Sequence, residues 1–185
     1  MSVEMTTRVQ TQWAETAEWR RIRTLSEQLL RTLNAPGTLS STEASNQPGN
    51  SSSFVQNAIT PVAESLGFRS ERLGLFTDGV RGLRPDFYLR TRDTGILLEV
   101  ERGKTTINDM DLPNFWRCHV CPSAHYLFLL VPKELRQNHE INPRREYMTV
   151  LRTLSEFFEP RILRTSVGCV CTDTESYRLL RKTPQ

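Results

Sequence analysis

A chain of 185 residues, 37% of them hydrophobic, is long enough for one domain with a real core, and part of it must lie outside that core. The net charge is +3 and the basic side is nearly all arginine, 21 Arg against 3 Lys, which suits phosphate and guanine contacts but follows equally from a GC-rich genome. No apolar run approaches the ~20 residues of a membrane span, and Met1 to Met5 lack the basic start and apolar core of a secretory signal, so a cytoplasmic protein with reduced cysteines is expected.

Thr11 to Asn34 reads as a helix, with Trp13, Ala17, Ile22, Leu25, Leu29, Leu30 and Leu33 near helical spacing, and Asn34-Ala35-Pro36-Gly37 stops it. The stretch that follows is mostly Ser, Thr, Asn, Gln, Pro and Gly, with almost nothing to bury. It reads as a mobile polar linker over 37–53, separating a helical arm, 1–36, from a domain spanning 54–185. Docking of the arm on the domain is the default; pairing with a second copy or contact with DNA are the alternatives.

Ser53 is a good cap for a helix from Phe54 to Leu66, which Pro61 interrupts, Gly67 ends, and which carries Glu64 in its last turn. Arg69 to Phe76 suits a strand, followed by a turn at Thr77-Asp78-Gly79. Phe87 to Arg90 and Ile96 to Glu101 are two further strands, joined by the turn chemistry of Arg92-Asp93-Thr94-Gly95 into a hairpin. Thr105 or Thr106 caps the next helix, limited or kinked by Pro113, with Phe115 and Trp116 in the core. His125 to Val131 is an apolar run of strand length, the mark of a strand covered on both faces. Asn142-Pro143 opens a helix to about Phe158 with Met148, Leu151, Leu154, Phe157 and Phe158 inward; a strand near Val167 to Thr172 and a basic tail, Arg178 to Lys182, finish the chain. A meander followed by a crossover helix into a buried strand predicts an α/β fold, a mixed sheet between helices.

Chemistry concentrates on the hairpin. Alternation along a strand puts Glu99 and Glu101 on one face and Leu98 and Val100 on the other, while Asp86 opens the first strand behind Pro85. Three carboxylates can then converge, and a buried carboxylate cluster is costly unless neutralised, most often by a divalent cation. A strand ending in Glu-x-Glu also reads as one that simply emerges into solvent, and from spacing alone the two readings stand level.

Pro85-Asp86, twelve residues, then Glu99-Val100-Glu101 resembles the PD-(D/E)xK nuclease superfamily, the restriction-endonuclease-like fold, over roughly Phe54 to Pro132. The resemblance implies an αβββαβ core and a metal-dependent DNA endonuclease that hydrolyses phosphodiester bonds. Asp86 and Glu99 would bind Mg²⁺ or Mn²⁺, and Glu64 would support the site. Glu101 stands where the superfamily usually has a water-activating Lys, as in some restriction enzymes, and Lys104 could supply the missing ammonium. Arg81, Arg84 and Arg102 lie beside these residues and could hold DNA, or could equally be solvated. The Lys-to-Glu departure keeps an alternative alive: a catalytically inactive module that binds DNA or a protein partner. Because cutting both strands generally takes two active sites, a homodimer is also open.

Cys118-His119-Val120-Cys121 and Cys169-Val170-Cys171 invite a structural Zn²⁺ site, but the second pair is Cys-x-Cys among strand-like neighbours, and buried small hydrophobes are the preferred reading for Cys118, Cys121, Cys169 and Cys171. His119, His125 and His139 form no credible triad, and no glycine-rich loop cradles a phosphate, so no nucleotide cofactor is expected.

Overall fold

A computed structural model of the protein describes residues 2–9, 13–70, 84–92, 94–102, 111–135, 142–143, 145–156 and 169–173. In chain order the elements are β1 (Glu4–Arg8), α1 (Ala17–Leu33), α2 (Pro36–Ser45), α3 (Ser52–Ser65), β2 (Arg69–Ser70), β3 (Phe87–Arg90), β4 (Gly95–Val100), α4 (Asp111–Val120), β5 (Tyr126–Leu130), α5 (Glu146–Glu156) and β6 (Cys169–Asp173). The strands form one mixed sheet in the order β1-β6-β5-β4-β3-β2. Pairing is antiparallel through β2, β3 and β4, parallel from β4 through β5 to β6, and antiparallel again between β6 and β1.

Every residue of β4 and β5 is buried, as strands covered on both faces must be. Ile96, Leu98, Val100, Tyr126, Phe128 and Leu130 face a core shared with Trp19, Ile22 and Leu29 of α1 and Val55 and Ile59 of α3. On the other face Leu97, Leu127 and Leu129 meet Phe115 and Cys118 of α4 and Tyr147, Val150 and Leu154 of α5. Among the described residues no helix is long and apolar enough to cross a membrane.

The N-terminal segment is bound into this sheet. Thr16 caps α1, its hydroxyl accepting from Trp19 N at 3.1 Å, and Thr11 lies outside the described residues. At the other end Asn34 Nδ2 donates to Leu30 O and Val3 O, and Asn34 Oδ1 accepts from Val3 N at 2.7 Å. One amide thereby closes the helix and holds the approach to β1. That strand, Glu-Met-Thr-Thr-Arg, has too little apolar alternation to be read locally; its partner β6 comes from the far end of the chain.

The polar stretch read as a linker contains a ten-residue helix. Its composition does limit burial, since Thr42 is its one buried residue. What composition misses is the helix start that Pro36 provides, and hydroxyls that fold back on the turn before them: Thr42 Oγ1 to Thr38 O, and Ser45 Oγ to Ser41 O. Arg102, from just beyond β4, then donates to the carbonyls of Gln47 and Asn50 and ties the α2–α3 connection to the sheet.

Several local readings shift. The cap of α3 is Ser51 rather than Ser53, Pro61 lies inside the helix, and Gly67 at φ +87° ends it as its freedom at positive φ suggests. Pro113 sits in the first turn of α4, where its missing N–H is harmless; Thr105 and Thr106 lie outside the described residues. Trp116, expected in the core, is 43% exposed, and Met148, expected inward on α5, is 56% exposed. The inner stripe of α5 runs through Tyr147, Val150 and Leu154, with Leu151 partly buried beside it, so Leu154 lies inward as expected while Met148 faces out. Phe157, Phe158 and the basic tail lie outside the described residues.

Candidate active site

The hairpin pairs Phe87 with Leu98 and Arg90 with Gly95, so Asp86 and Glu99 arrive together at its open end. The turn end is closed by Thr91 N donating to Thr94 O at 2.8 Å. Behind it the Tyr88 ring lies over Gly95 and its hydroxyl donates to Ser123 O at 3.1 Å. At the open end β3 has stopped but β4 continues, which leaves the Val100 N–H on that edge in need of an acceptor. Asp86 Oδ2 accepts it at 2.8 Å, while Asp86 Oδ1 accepts from Gln56 Nε2 of α3 at 2.5 Å. The Asp86 carboxylate is thus held by the strand edge on one side and by the helix on the other.

Glu99 projects to the opposite layer, beneath α4, and is only 2% exposed. Its Oε2 accepts from the Asp86 N–H at 3.3 Å. Its Oε1 is buried and has no hydrogen-bond partner among the described residues; Arg117 Nη1 stands 3.7 Å away, beyond hydrogen-bond range. Burial above all pushes this carboxyl well above its ordinary range, and the charges of Asp86 and Glu101 push the same way; Arg117 and the Asp86 N–H oppose them only in part.

Glu101 follows on the same side. Its N–H bonds Leu130 O at 2.9 Å, extending the β4–β5 ladder, and its Oε1 accepts from Asn114 Nδ2 at 2.5 Å. Asn114 is fully buried on α4, and its Oδ1 accepts from Arg117 Nη1 at 2.9 Å. α4 therefore lays an amide and a guanidinium along Glu99 of β4 and Glu101 just beyond it.

Three residues that reasoning from the sequence passed over, Gln56, Asn114 and Arg117, complete this arrangement. The legible signal was Asn114, a polar residue inside the stripe Phe115, Cys118, Cys121 that otherwise buries α4. Among the expected residues, Glu64 is exposed on α3, eight residues or about two turns beyond Gln56. Arg102 is engaged with the α2–α3 connection, and Arg84 is exposed just ahead of Pro85. Arg81 and Lys104 lie outside the described residues.

No group of three or more His, Cys, Asp or Glu side chains gathers closely enough to hold a metal ion among the described residues. The donor chemistry of Asp86 and Glu99 nevertheless fits a hard divalent cation: oxygen ligands, one of them a buried oxygen without a hydrogen-bond donor among the described residues. Cys118 and Cys121 are buried thiols in the apolar layer under α4, with Ala124 O and Ser123 Oγ as their contacts; the side chains of Cys169 and Cys171 lie outside the described residues. Comparison of the chain with protein-family models, curated proteins and solved structures gave no match.

Proposed function

We propose that the protein is a metal-dependent DNA endonuclease of the PD-(D/E)xK type, with Asp86, Glu99 and Glu101 as its carboxylate site. One observation carries the reading. The fold buries Glu99 beside Asp86 and leaves Glu99 Oε1 without a hydrogen-bond donor among the described residues, an arrangement that is unfavourable for the ionised carboxylate and that a bound cation would relieve. The succession α3, β2, β3, β4, α4, β5, with an antiparallel meander and then a parallel crossover, is the αβββαβ order that the motif implies and supports the same reading.

Asp86 and Glu99 would hold Mg²⁺ or Mn²⁺, with backbone oxygens and water completing the shell. When bound, such an ion lowers the pKa of a coordinated water and stabilises charge on the phosphate. Glu101, fixed through Oε1 by Asn114, orients the attacking water and accepts its proton. Arg84, exposed just ahead of Pro85, contributes to holding the flanking phosphodiester backbone.

A second reading, an inactive module that binds DNA or a protein, draws on the protein's own donors. Asp86 already accepts from Val100 N and Gln56, and Arg117 partly counters Glu99. Plasmid DNA incubated with the protein in Mg²⁺, Mn²⁺ or EDTA separates the two. Nicking that requires the cation and disappears in Asp86→Ala and Glu99→Ala is expected. DNA retardation without cleavage selects the binding module, and cleavage equal to the parent in both variants overturns the site.

A further inference from the structure

Three carboxylates repel the phosphodiester that the proposed reaction requires, so beside a bound metal ion a cation of the protein close to Glu99 would help to hold that anion. Arg102 is committed to the carbonyls of Gln47 and Asn50, and Arg84 lies ahead of the hairpin. Arg117 remains. Its side chain is 37% exposed while its Nη1 lies 3.7 Å from the 2%-exposed Glu99, so a single guanidinium spans from the buried carboxylate to the surface. If its purpose were only to neutralise Glu99, a close charge-assisted contact of about 2.7–2.9 Å would be the expected geometry. Nη1 instead donates to the neutral Asn114 Oδ1 at 2.9 Å, and Asn114 is itself anchored on Glu101. The arginine is held at the site by an amide rather than by its counter-charge, and the planar guanidinium has further N–H donors for an oxyanion.

Resting on the endonuclease reading above, we propose that Arg117 is the phosphate-holding residue of the site, taking a non-bridging oxygen of the scissile phosphodiester, and that Asn114 is the positioning residue that sets Arg117 and Glu101 in register. In the absence of DNA and metal, Arg117 partly offsets the charge on Glu99. Once that charge is met by a cation, Arg117 is available to the anion.

The test combines Mn²⁺ binding by calorimetry, without DNA, with single-turnover cleavage at saturating DNA, for the parent, Arg117→Met, Arg117→Lys and Asn114→Ala. Arg117→Met is expected to bind Mn²⁺ at least as tightly as the parent, since a competing positive charge has gone. It should cleave ~10²–10³-fold more slowly, the usual effect of removing one donor that meets developing charge. Arg117→Lys, an ammonium without the fork, should recover part of that loss. Asn114→Ala should slow cleavage by roughly 10-fold or more while melting cooperatively. Thermal melting verifies each fold, and should Arg117→Met not fold, Arg117→Lys decides: cleavage within about 3-fold of the parent overturns the proposal. So does Arg117→Met cleaving as fast as the parent. A parent that binds Mn²⁺ and cuts DNA while the Arg117 variants match it defeats the role of Arg117 alone; a parent that does neither defeats the endonuclease reading, and this inference with it.

Discussion

Asp86 Oδ2 accepts the amide hydrogen of Val100 at 2.8 Å, so the first carboxylate of the site also closes the edge where the hairpin ladder ends. The contact fixes the Asp86 N–H against Glu99 Oε2 at 3.3 Å and brings the two acids together through the backbone rather than through flexible side chains. Proximity of this kind stores an electrostatic penalty in the metal-free protein.

That penalty is measurable through pH. Burial, reinforced by Asp86 and Glu101, raises the Glu99 carboxyl well above its ordinary value. Between the ordinary value and the raised one, the folded protein binds more protons than the unfolded chain, so stability falls as pH climbs through that window. The contribution of Glu99 is fully present below the ordinary value and lost above the raised one. Glu99→Gln should therefore raise the melting temperature of the metal-free protein at pH 8 and leave it near parental at pH 4, at roughly 2–4 °C for each kcal/mol relieved in a domain of this size. Mn²⁺ should stabilise the parent and not the variant. A parental melting temperature for Glu99→Gln at pH 8 would show that Glu99 carries no such burden.

Gln56 is the α3 residue that holds Asp86. Its Nε2 donates to Oδ1 at 2.5 Å, so Gln56→Leu leaves that carboxylate oxygen without this donor in a half-buried setting. Hydrogen bonds to charged groups contribute about 1.5–3 kcal/mol, and the melting temperature should fall by several degrees. On the endonuclease reading cleavage should fall too, because Asp86 gains freedom at the proposed metal site. Glu64→Ala, exposed on the same helix, should alter neither; a loss there equal to that in Gln56→Leu contradicts this assignment.

The hairpin, its two faces and the helix-then-strand crossover were legible because strand alternation, turn residues and a continuous apolar run act locally. The carboxylates Asp86, Glu99 and Glu101 were legible for the same reason: spacing along two adjacent strands places them. Their partners were not. Gln56, Asn114 and Arg117 come from helices 30, 13 and 18 positions away from the nearest carboxylate each touches or approaches, and only the packing of α3 and α4 on the sheet brings them in. β1 escaped for a related reason, since it pairs with β6 across nearly the whole chain. The stretch 37–53 misled because polar composition tells what a segment can bury, not whether another segment will bond its carbonyls.

Arg102 tests that last point. Its guanidinium binds the carbonyls of Gln47 and Asn50, so the polar stretch after α1 should resist brief proteolysis in the parent. Arg102→Ala removes two charge-assisted bonds of about 1.5–3 kcal/mol each at most, and cleavage in 46–51 should accelerate by on the order of 10-fold or more, since 1.4 kcal/mol of easier opening is tenfold in population. Mass spectrometry of the first fragments checks the position. Rapid cutting of the parent in this stretch, with no change in the variant, would mean that Arg102 does not hold it.

Gly95 is the position where the hairpin leaves least room. A Cβ there would lie 2.4 Å from Tyr88 Cε2, 2.6 Å from the Tyr88 hydroxyl and 2.5 Å from Ser123 O. The ring could swing away, but Ser123 O is backbone at the turn leading into β5 and cannot retreat without disturbing the strand that pairs with β4. Gly95→Ala should destabilise the fold by about 1–3 kcal/mol, the range for inserting a methyl into a filled space. The double variant Gly95→Ala/Tyr88→Ala separates the two obstacles. If the ring dominates, removing it recovers most of the melting temperature relative to Tyr88→Ala alone. If Ser123 O dominates, as its immobility argues, the double variant remains as far below Tyr88→Ala as the single variant lies below the parent. Because Gly95 and the carboxylates occupy opposite ends of β4, Mn²⁺ affinity per folded molecule should not move in Gly95→Ala. A large loss of metal affinity with unchanged stability would show that the turn end of the hairpin sets the geometry of the acidic end.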